Sequence, residues 1–336
     1  MGLGAFPPGH AQCLGMLGMH GTYTANMSMA EAELIINIGA RFDDRVTGTL
    51  DCFAPKSKNK IHVDVDPSSV NKSVKVDLPI VGDAKTVVRQ MLDVLPDIPR
   101  PERKDWWAQL RKWQKDFPLK FRDRTDVIMP QRVCVELADI TKGKHICSTD
   151  VGQHQMWAAQ YYPVDQGRRW LTSGGLGTMG YGLPAAMGAA MAHPGEPVLC
   201  ISGDGSFQMC IQELATCVHE NLDVKVIILN NNFLGMVRQW QELFYSQRYS
   251  EVGMKYFPDF VKIAEAYGAT GLRAEKPEEL RAVLEKGLST PGTVVMDIIV
   301  SKEANVYPMI PAGAAHYEIV MEPDDCTPAP EPRELA

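Results

Sequence analysis

The 336-residue sequence contains no C-x-x-C pair among its eight cysteines, no apolar run of membrane-spanning length, no excess of basic residues and no internal repeat. Each absence excludes a class. Cys13, Cys52, Cys134, Cys147, Cys200, Cys210, Cys217 and Cys326 are scattered, several within apolar runs. They read as small buried hydrophobes in a reducing, cytoplasmic setting, and neither as a disulfide framework nor as a zinc site. A net charge of −7 offers no general attraction to nucleic acid or anionic membrane. Without about 20 consecutive apolar residues no membrane span is expected. The opening MGLGAFPPGHAQCLGMLGMHG has no basic n-region and no continuous apolar h-region, which excludes a secretory signal. Phe6 stands where myristoylation of Gly2 needs Ser or Thr. This Gly- and Met-rich opening reads like a loop within a domain, as though the chain began mid-structure.

What is present centres on residues 198–236, VLCISGDGSFQMCIQELATCVHENLDVKVIILNNNFLGM. Two apolar runs (198–202 and 224–229) flank an amphipathic segment, and end in Gly203-Asp204-Gly205-Ser206 and in Asn230-Asn231-Asn232. The pattern predicts strand, turn, helix, strand. The two oxygen-rich ends would then share the C-terminal edge of a parallel sheet, where open α/β sheets bind ligands. The Asp204 carboxylate and the Asn231 amide are hard oxygen donors of the kind Mg²⁺ takes, in small number, beside substrate phosphates. Gly203 and Gly205 allow close backbone approach, and a helix opening near Ser206 would direct N–H groups at a diphosphate.

Before this core, residues 33–39, 60–66 and 78–83 read as strands, the last leading into a helix over 84–95. Three strands with crossovers predict a Rossmann-like layer whose ends carry Arg41, Asp43, Asp64 and Asp83. Spacing alone favours these as solvated turn residues over nucleotide contacts. Ser28-x-x-Glu31 fits a capping box for a short helix. Residues 96–130 read as a stiff, Pro-containing connector with a helix over 105–117 carrying Trp106, Leu110 and Trp113 on one face, a spacing that signals packing. A second domain follows: helix 132–140, strand 145–149, then Asp150-Val-Gly-Gln-His-Gln. His154 there is open to three roles, as a metal ligand, a general base or a phosphate contact. Gly175, Gly177 and Gly180 make a formal G-x-G-x-x-G, a weak signal by itself; its glycines more plausibly let the loop lie near a bound diphosphate. Met236 and Trp240, four apart, commonly mean helix packing. After a helix (259–267) come a turn, a helix (277–286) and a last strand (293–300). Ile310-Pro-Ala-Gly-Ala could fold over the site, with a disordered tail from 322.

With GDGS, the Asn run, GGLGTMGYGLPAA and VGQHQMW in order, the sequence resembles thiamine diphosphate enzymes. LGMLGMHGT (14–22), GARFDDRVTG (39–48) and GMVRQWQELFY (235–245) narrow the resemblance to the acetohydroxyacid (acetolactate) synthase large catalytic subunits, over nearly the whole chain. It implies an α/β fold of two Rossmann-like parallel-sheet domains: a partial central, FAD-type domain (1–95), a linker (96–130), a diphosphate- and Mg²⁺-binding domain (131–310) and a lid with tail (311–336). It implies condensation of pyruvate with pyruvate or 2-ketobutyrate in branched-chain amino-acid synthesis. By position, Asp204, Asn231 and the Phe233 carbonyl would hold Mg²⁺. Val151, Gly152, Gln153, His154, Gly177, Gly203, Gly205 and Ser206 would surround the cofactor's diphosphate, with Met179 and Met236 bending the cofactor. Arg45 and Trp240 would select the acceptor keto acid. A non-redox FAD would be lined by Met19, His20, Gly21, Gly39, Ala40, Arg41, Asp43, Asp64, Val65 and Asp83.

The resemblance also implies a pyrimidine-binding domain before the residue matching Met1, carrying the glutamate that activates the cofactor. Sites shared between subunits of a homodimer or tetramer, and a small regulatory subunit, follow from it as well. Other readings are a catalytically silent cofactor-binding remnant and another thiamine-dependent carboligase such as glyoxylate carboligase. A nicotinamide dehydrogenase ranks last, because it leaves GDGS with Asn231 unexplained.

Overall fold

The computed structural model describes residues 2–99, 101–254, 256 and 258–323. These form two compact units, one from the described residues within 14–120 and 307–323, the other from those within 1–13 and 121–306. Most of the tail expected to be disordered, with Cys326, lies outside the described residues. No described helix is long and apolar enough to cross a membrane.

The first unit holds a parallel sheet of β1 (Leu34–Ile38), β2 (Asn59–Asp64) and β3 (Leu78–Val81), in that order. Strand β1 alternates. Ile35 is buried with Phe42, Phe53, Ala54 and Val74, while Leu34, Ile36 and Ile38 stand about half exposed on the other face. β2 stops at Asp64, two residues earlier than its sequence pattern predicts, because the Asp64 carboxylate accepts the Asp66 N–H (2.9 Å) and turns the chain. Asp66 then caps the 3-10 turn Pro67–Ser69.

One expectation needs correcting. The helix assigned to Ser28 as N-cap runs over Tyr23–Glu31 and is capped by Thr22, whose Oγ1 accepts from Ala25 N (3.1 Å). Ser28 lies inside that helix and bonds back to the Thr24 carbonyl (2.5 Å), a use of serine that competes with capping. The segment from 311, expected as a lid, is tied to the first unit: Ile310 N donates to Met19 O (2.8 Å), and His316 Nε2 bonds Val46 O (2.6 Å). The helix Lys104–Asp116, expected within a connector, also packs in this unit. Leu110 is buried there, and Tyr23 stacks on Phe117 at 4.0 Å.

The second unit is a six-stranded parallel sheet: β4 (Ile146–Thr149), β5 (Trp170–Thr172), β6 (Val198–Gly203), β7 (Val224–Asn230), β8 (Thr270–Ala274) and β9 (Val294–Ile299). The order is β5-β4-β6-β7-β9-β8. β6 and β7 are buried along their whole length, as their continuous apolar runs predict for strands covered on both faces. One core cluster includes Val133, Leu137, Trp157, Leu199 and Ile227; the second includes Cys200, Phe207, Leu214 and Val226. Alternate residues of β6 and β7 thus enter different clusters. β8 has no counterpart in the sequence reading, where 270–274 fell in a turn. It is a half-buried edge strand containing Gly271, with no apolar alternation to mark it.

The chain leaves β4 for β5 on one side, then returns past β4 to β6 on the other. The C-terminal ends of β4 and β6 therefore flank a point where strand order reverses, the place where open α/β sheets leave a crevice.

Replacing Thr22 by Ala should lower stability by about 1 kcal/mol, as the loss of an N-cap does. Ser28→Ala should change it by less. Urea denaturation of both variants separates the two assignments, and equal losses would contradict the capping described here.

Candidate functional site

A cavity of about 130 Å³ opens at that reversal. It is lined by Val151–His154 after β4, Gly203–Ser206 after β6 and Asn231 with Phe233–Val237 after β7, joined by Met179 and Trp157. Sequence placed most of these residues together, and the fold brings them to one crevice.

Asp204, 2% exposed, opens a one-turn helix, Asp204–Phe207. Its Oδ1 accepts from Gly205 N (2.8 Å) and its Oδ2 from Asn232 N (2.6 Å). The second bond ties the β6 end to the residue between Asn231 and Phe233. Burial nevertheless pushes the Asp204 carboxyl up to about 7, despite these two donors. Asn231 Oδ1 accepts from Phe233 N (3.0 Å), and its Nδ2 donates to Gln153 Oε1 (3.3 Å). Each of these oxygens keeps a lone pair beyond its protein bond.

The amphipathic segment after GDGS is not one helix. It breaks into the turn at 204–207, a 3-10 stretch Gln208–Glu213 kinked at Cys210, and a short helix Leu214–His219. Longer helices open on the cavity elsewhere. Gln153–Tyr161 begins at Gly152-Gln153, and Gly235–Phe244 begins at Gly235-Met236, so the starts of two full helices lie at the cavity lining.

His154 is buried, and its Nε2 has no hydrogen-bond partner among the described residues. Burial drives the imidazole down to about 3, partly offset by a bond with the Asp150 backbone. The ring occupies the space above Gly203, where a β-carbon would stand 2.6 Å from Nδ1. Ser206 Oγ is turned to the Val151 carbonyl (2.9 Å). Met179, Met236 and Leu234 form the apolar wall.

Residues that sequence reasoning passed over hold this arrangement. Asp150 is 1% exposed and accepts from Val151 N (3.0 Å), Gly180 N (2.7 Å) and Gly182 N (3.3 Å). One carboxylate thus fastens the β4 end to the glycine loop just after Met179. Gly177, expected at the cofactor, does not line the cavity; a β-carbon there would touch Val151 Cγ1 at 3.9 Å. Gly235 was passed over too, and any β-carbon on it would run into Gln153 Oε1. Trp240 is half-buried, does not line the cavity and stands edge-on to Phe244 at 5.5 Å.

The other candidates lie in the first unit. Met19 N donates to Arg45 O (2.8 Å), and the exposed Arg45 guanidinium stands 3.9 Å from Met19 Sδ. Gly21 closes a turn on Gly18 O (2.8 Å), and His20 is buried, its imidazole pushed down to about 4 mainly by desolvation. Gly39 has a left-handed φ of 68° and open space around it. The Ala40 carbonyl accepts from Asn37 Nδ2 (2.6 Å) and His62 Nε2 (2.9 Å), two residues the sequence did not single out. Arg41 pairs with Asp43 (3.6 Å), Val65 is 74% exposed, and Asp83 caps the helix Ala84–Val94. Gly39–Asp43 and Val65 follow β1 and β2 and Asp83 follows β3, along one sheet edge.

The description "Thiamine pyrophosphate enzyme, C-terminal TPP binding domain" matches residues 150–298, and "Thiamine pyrophosphate enzyme, central domain" matches residues 1–91. The chain belongs to the thiamine pyrophosphate enzymes. It is 50% identical over 316 residues to the acetolactate synthase isozyme 3 large subunit of Escherichia coli, which covers 92% of this chain and 55% of that protein. It is 46% identical over 325 residues to the acetolactate synthase large subunit of Haemophilus influenzae (96% and 56%). An acetolactate synthase of Mycobacterium bovis is 47% identical over 328 residues (95% and 53%). The chain thus spans about half the length of these relatives. The cavity after β4, β6 and β7 lies wholly within the C-terminal TPP-binding domain of this family.

His154 gives a pH test. In the unfolded chain an imidazole binds a proton from about pH 6.5 downward, whereas folded His154 resists until about 3. The unfolded state therefore binds more protons in that window, and stability falls as pH drops, by up to about 1.4 kcal/mol per pH unit for one group. Denaturation curves at pH 7, 6 and 5 should show a shallower acid loss for His154→Gln than for the parent. Parallel slopes would contradict a neutral, buried His154.

Proposed function

We propose that this chain supplies the diphosphate-binding half of an acetolactate synthase site. Pyruvate is decarboxylated there and its two-carbon unit is joined to pyruvate or 2-ketobutyrate. The observation that carries the reading is the junction of Asp204 with the Asn231–Phe233 loop, lining one cavity with His154, whose Nε2 has no partner among the described residues. Likeness to acetolactate synthase large subunits along almost the whole chain narrows it from family to reaction.

The donor set suits Mg²⁺. Among the described residues no group of three or more His, Cys, Asp or Glu side chains could hold a metal ion. One carboxylate, one amide oxygen and the Phe233 carbonyl are hard, few and mostly neutral, leaving positions for water and diphosphate oxygens. A dication beside Asp204 would displace its proton and hold the carboxylate ionised. The diphosphate would take the His154 Nε2 and the N–H groups at the starts of Gln153–Tyr161 and Gly235–Phe244. Thiamine diphosphate, once bound, supplies a nucleophilic carbon and an electron sink for loss of CO₂ from a 2-keto acid.

The chain's own residues then position and exclude. Met179 and Met236 are thioethers, suited to filling irregular space, and would support the conformation of the bound cofactor. Arg45 would take the acceptor carboxylate and Trp240 its alkyl group. FAD would lie along the β1–β3 edge at Met19–Gly21, Gly39–Asp43, Asp64, Val65 and Asp83, in a structural role. Assembly with further copies and with a regulatory subunit belongs to the same proposal.

Trp157 lines the cavity and provides the readout. Thiamine diphosphate should change its fluorescence only when Mg²⁺ is present. Asp204→Ala should weaken binding by at least about 100-fold, since the loss of even an outer-shell partner costs 10–100-fold. Undiminished binding in that variant would overturn the metal assignment. Acetolactate formed from pyruvate, measured with the preceding half of a relative supplied in trans, tests the reaction. Cofactor binding without any acetolactate under those conditions would overturn the synthase reading while leaving the family assignment intact.

A further inference from the structure

Gln239 is 0% exposed, sits in the second turn of the helix Gly235–Phe244 and does not line the cavity. A buried amide of this kind is costly unless bonded, and its bonds run in one direction. Gln239 Oε1 accepts from Val306 N (2.8 Å), and Gln239 Nε2 donates to Val306 O (3.2 Å). A backbone N–H only donates and a carbonyl only accepts, so this reciprocal pair fixes which end of the Gln239 amide is oxygen. The same Oε1 accepts from Gln153 Nε2 (2.9 Å), whose other acceptor is the Ala304 carbonyl (3.1 Å). Gln153 is thereby held with Oε1 towards Asn231, where it takes Asn231 Nδ2 (3.3 Å). The Asn231 amide is left with Oδ1 on the opposite side, bonded to Phe233 N.

We propose that Gln239 is a positioning residue for the cation site. Through the amide chain Gln239–Gln153–Asn231 it transmits the polarity of the Val306 backbone to Asn231, and presents oxygen rather than nitrogen to the metal. The inference rests on the Mg²⁺–diphosphate reading of the cavity. The anchor at the far end is firm. Arg238, 4% exposed, donates from the same helix to Glu303 O (3.2 Å), Ala304 O (3.3 Å) and Asn305 Oδ1 (2.6 Å). Asn305 Nδ2 returns a bond to Glu242 Oε1 (2.9 Å), so helix and loop hold each other at several points. Gly235 completes the arrangement, because a side chain there would displace both Gln153 Oε1 and Asn231 Nδ2.

Two variants of the full 336-residue chain test this, read by the Mg²⁺ concentration that half-saturates thiamine diphosphate binding in Trp157 fluorescence. Gln239→Leu removes both polarities and should raise that concentration about 10-fold or more, the usual cost of losing an outer-shell partner. Gln239→Glu keeps the shape. As a carboxylate it cannot donate to Val306 O, but as the neutral acid favoured by burial it can. Its defect relative to the parent at the same pH should therefore be large at pH 8 and shrink towards pH 6. A purely structural role would lower melting temperature without that pH-dependent recovery. If Gln239→Leu fails to fold, the Glu variant decides alone. Half-saturation within two-fold of the parent at both pH values would overturn the proposal. A parent chain with no Mg²⁺-dependent binding would instead overturn the reading of the cavity on which it stands.

Discussion

A single buried carboxylate constrains the second unit more than any other group. Asp204 stands at the end of a strand covered on both faces, where its ionised form has almost no water to stabilise it. Two backbone N–H groups bond it, yet its pKa still rises from 3.8 to about 7. On the scale of about 1.4 kcal/mol per pKa unit, keeping it charged at neutral pH costs roughly 4 kcal/mol relative to water. The fold accepts this because the sheet's strand order reverses beside β6 and opens the one direction from which compensating charge can come. Among the side chains that line the cavity, Gln153, His154, Ser206 and Asn231 bring no positive charge at pH 7, so the compensation falls to a cation or a proton. The surrounding structure follows from leaving that choice open.

The same logic explains the side chains that touch nothing reactive. Asp150, buried a strand away, has its charge spread over backbone donors of Val151, Gly180 and Gly182, and so fixes a glycine loop that has little else to hold it. Gln153 and Gln239 carry no charge, and their amides link the β7 loop to the backbone at 304–306. At Lys225 the device is inverted. This fully buried ammonium, at the start of β7 far along the strand from Asn231, bonds the carbonyls of Thr290 and Gly292 and pairs with Asp223. It neutralises the carbonyl end of the helix Pro277–Ser289, a contribution to the sheet's opposite edge and not to the cavity.

How much of this was legible depends on whether the signal is local. The continuous apolar runs of β6 and β7 gave their burial and direction, and the oxygen-bearing residues that end them gave the crevice, because a parallel sheet places all such ends on one edge. Asp204 and Asn231 were therefore within reach of the strand-end pattern, whereas His154 stayed open among three roles and Met179 and Met236 followed only from the family resemblance. β8 was not, because a half-buried edge strand has neither an apolar run nor alternation. Thr22 and Ser28 both satisfy the local grammar of an N-cap. Only the packing of Tyr23 on Phe117, 94 residues away, shows that the helix already exists before Ser28. Asp150 and Gln239 read as unremarkable polar residues, since their partners are carbonyls and N–H groups 30 and 67 residues distant that no pattern announces.

The two units also differ in how far strand-end reasoning reaches. In the six-stranded sheet the reversal between β4 and β6 creates a crevice, and the residues named at those ends converge on it. In the three-stranded sheet the described strands run β1-β2-β3 without reversal, and their end residues are used locally: Asp64 turns the chain at Asp66, and Asp83 caps a helix. A carboxylate that already serves a turn can still meet a ribose, because each oxygen has a second lone pair, but the turn by itself is a sufficient reason for it to be there. Asp204 also bonds two backbone N–H groups, one on each oxygen, an arrangement asparagine could not copy because its amide nitrogen would face one of the donors. Asp204 differs in that burial holds its carboxyl far above the ordinary value in spite of both bonds. The excess cost of the charge, and not the mere presence of a carboxylate at a strand end, separates the cavity of the second unit from the edge of the first.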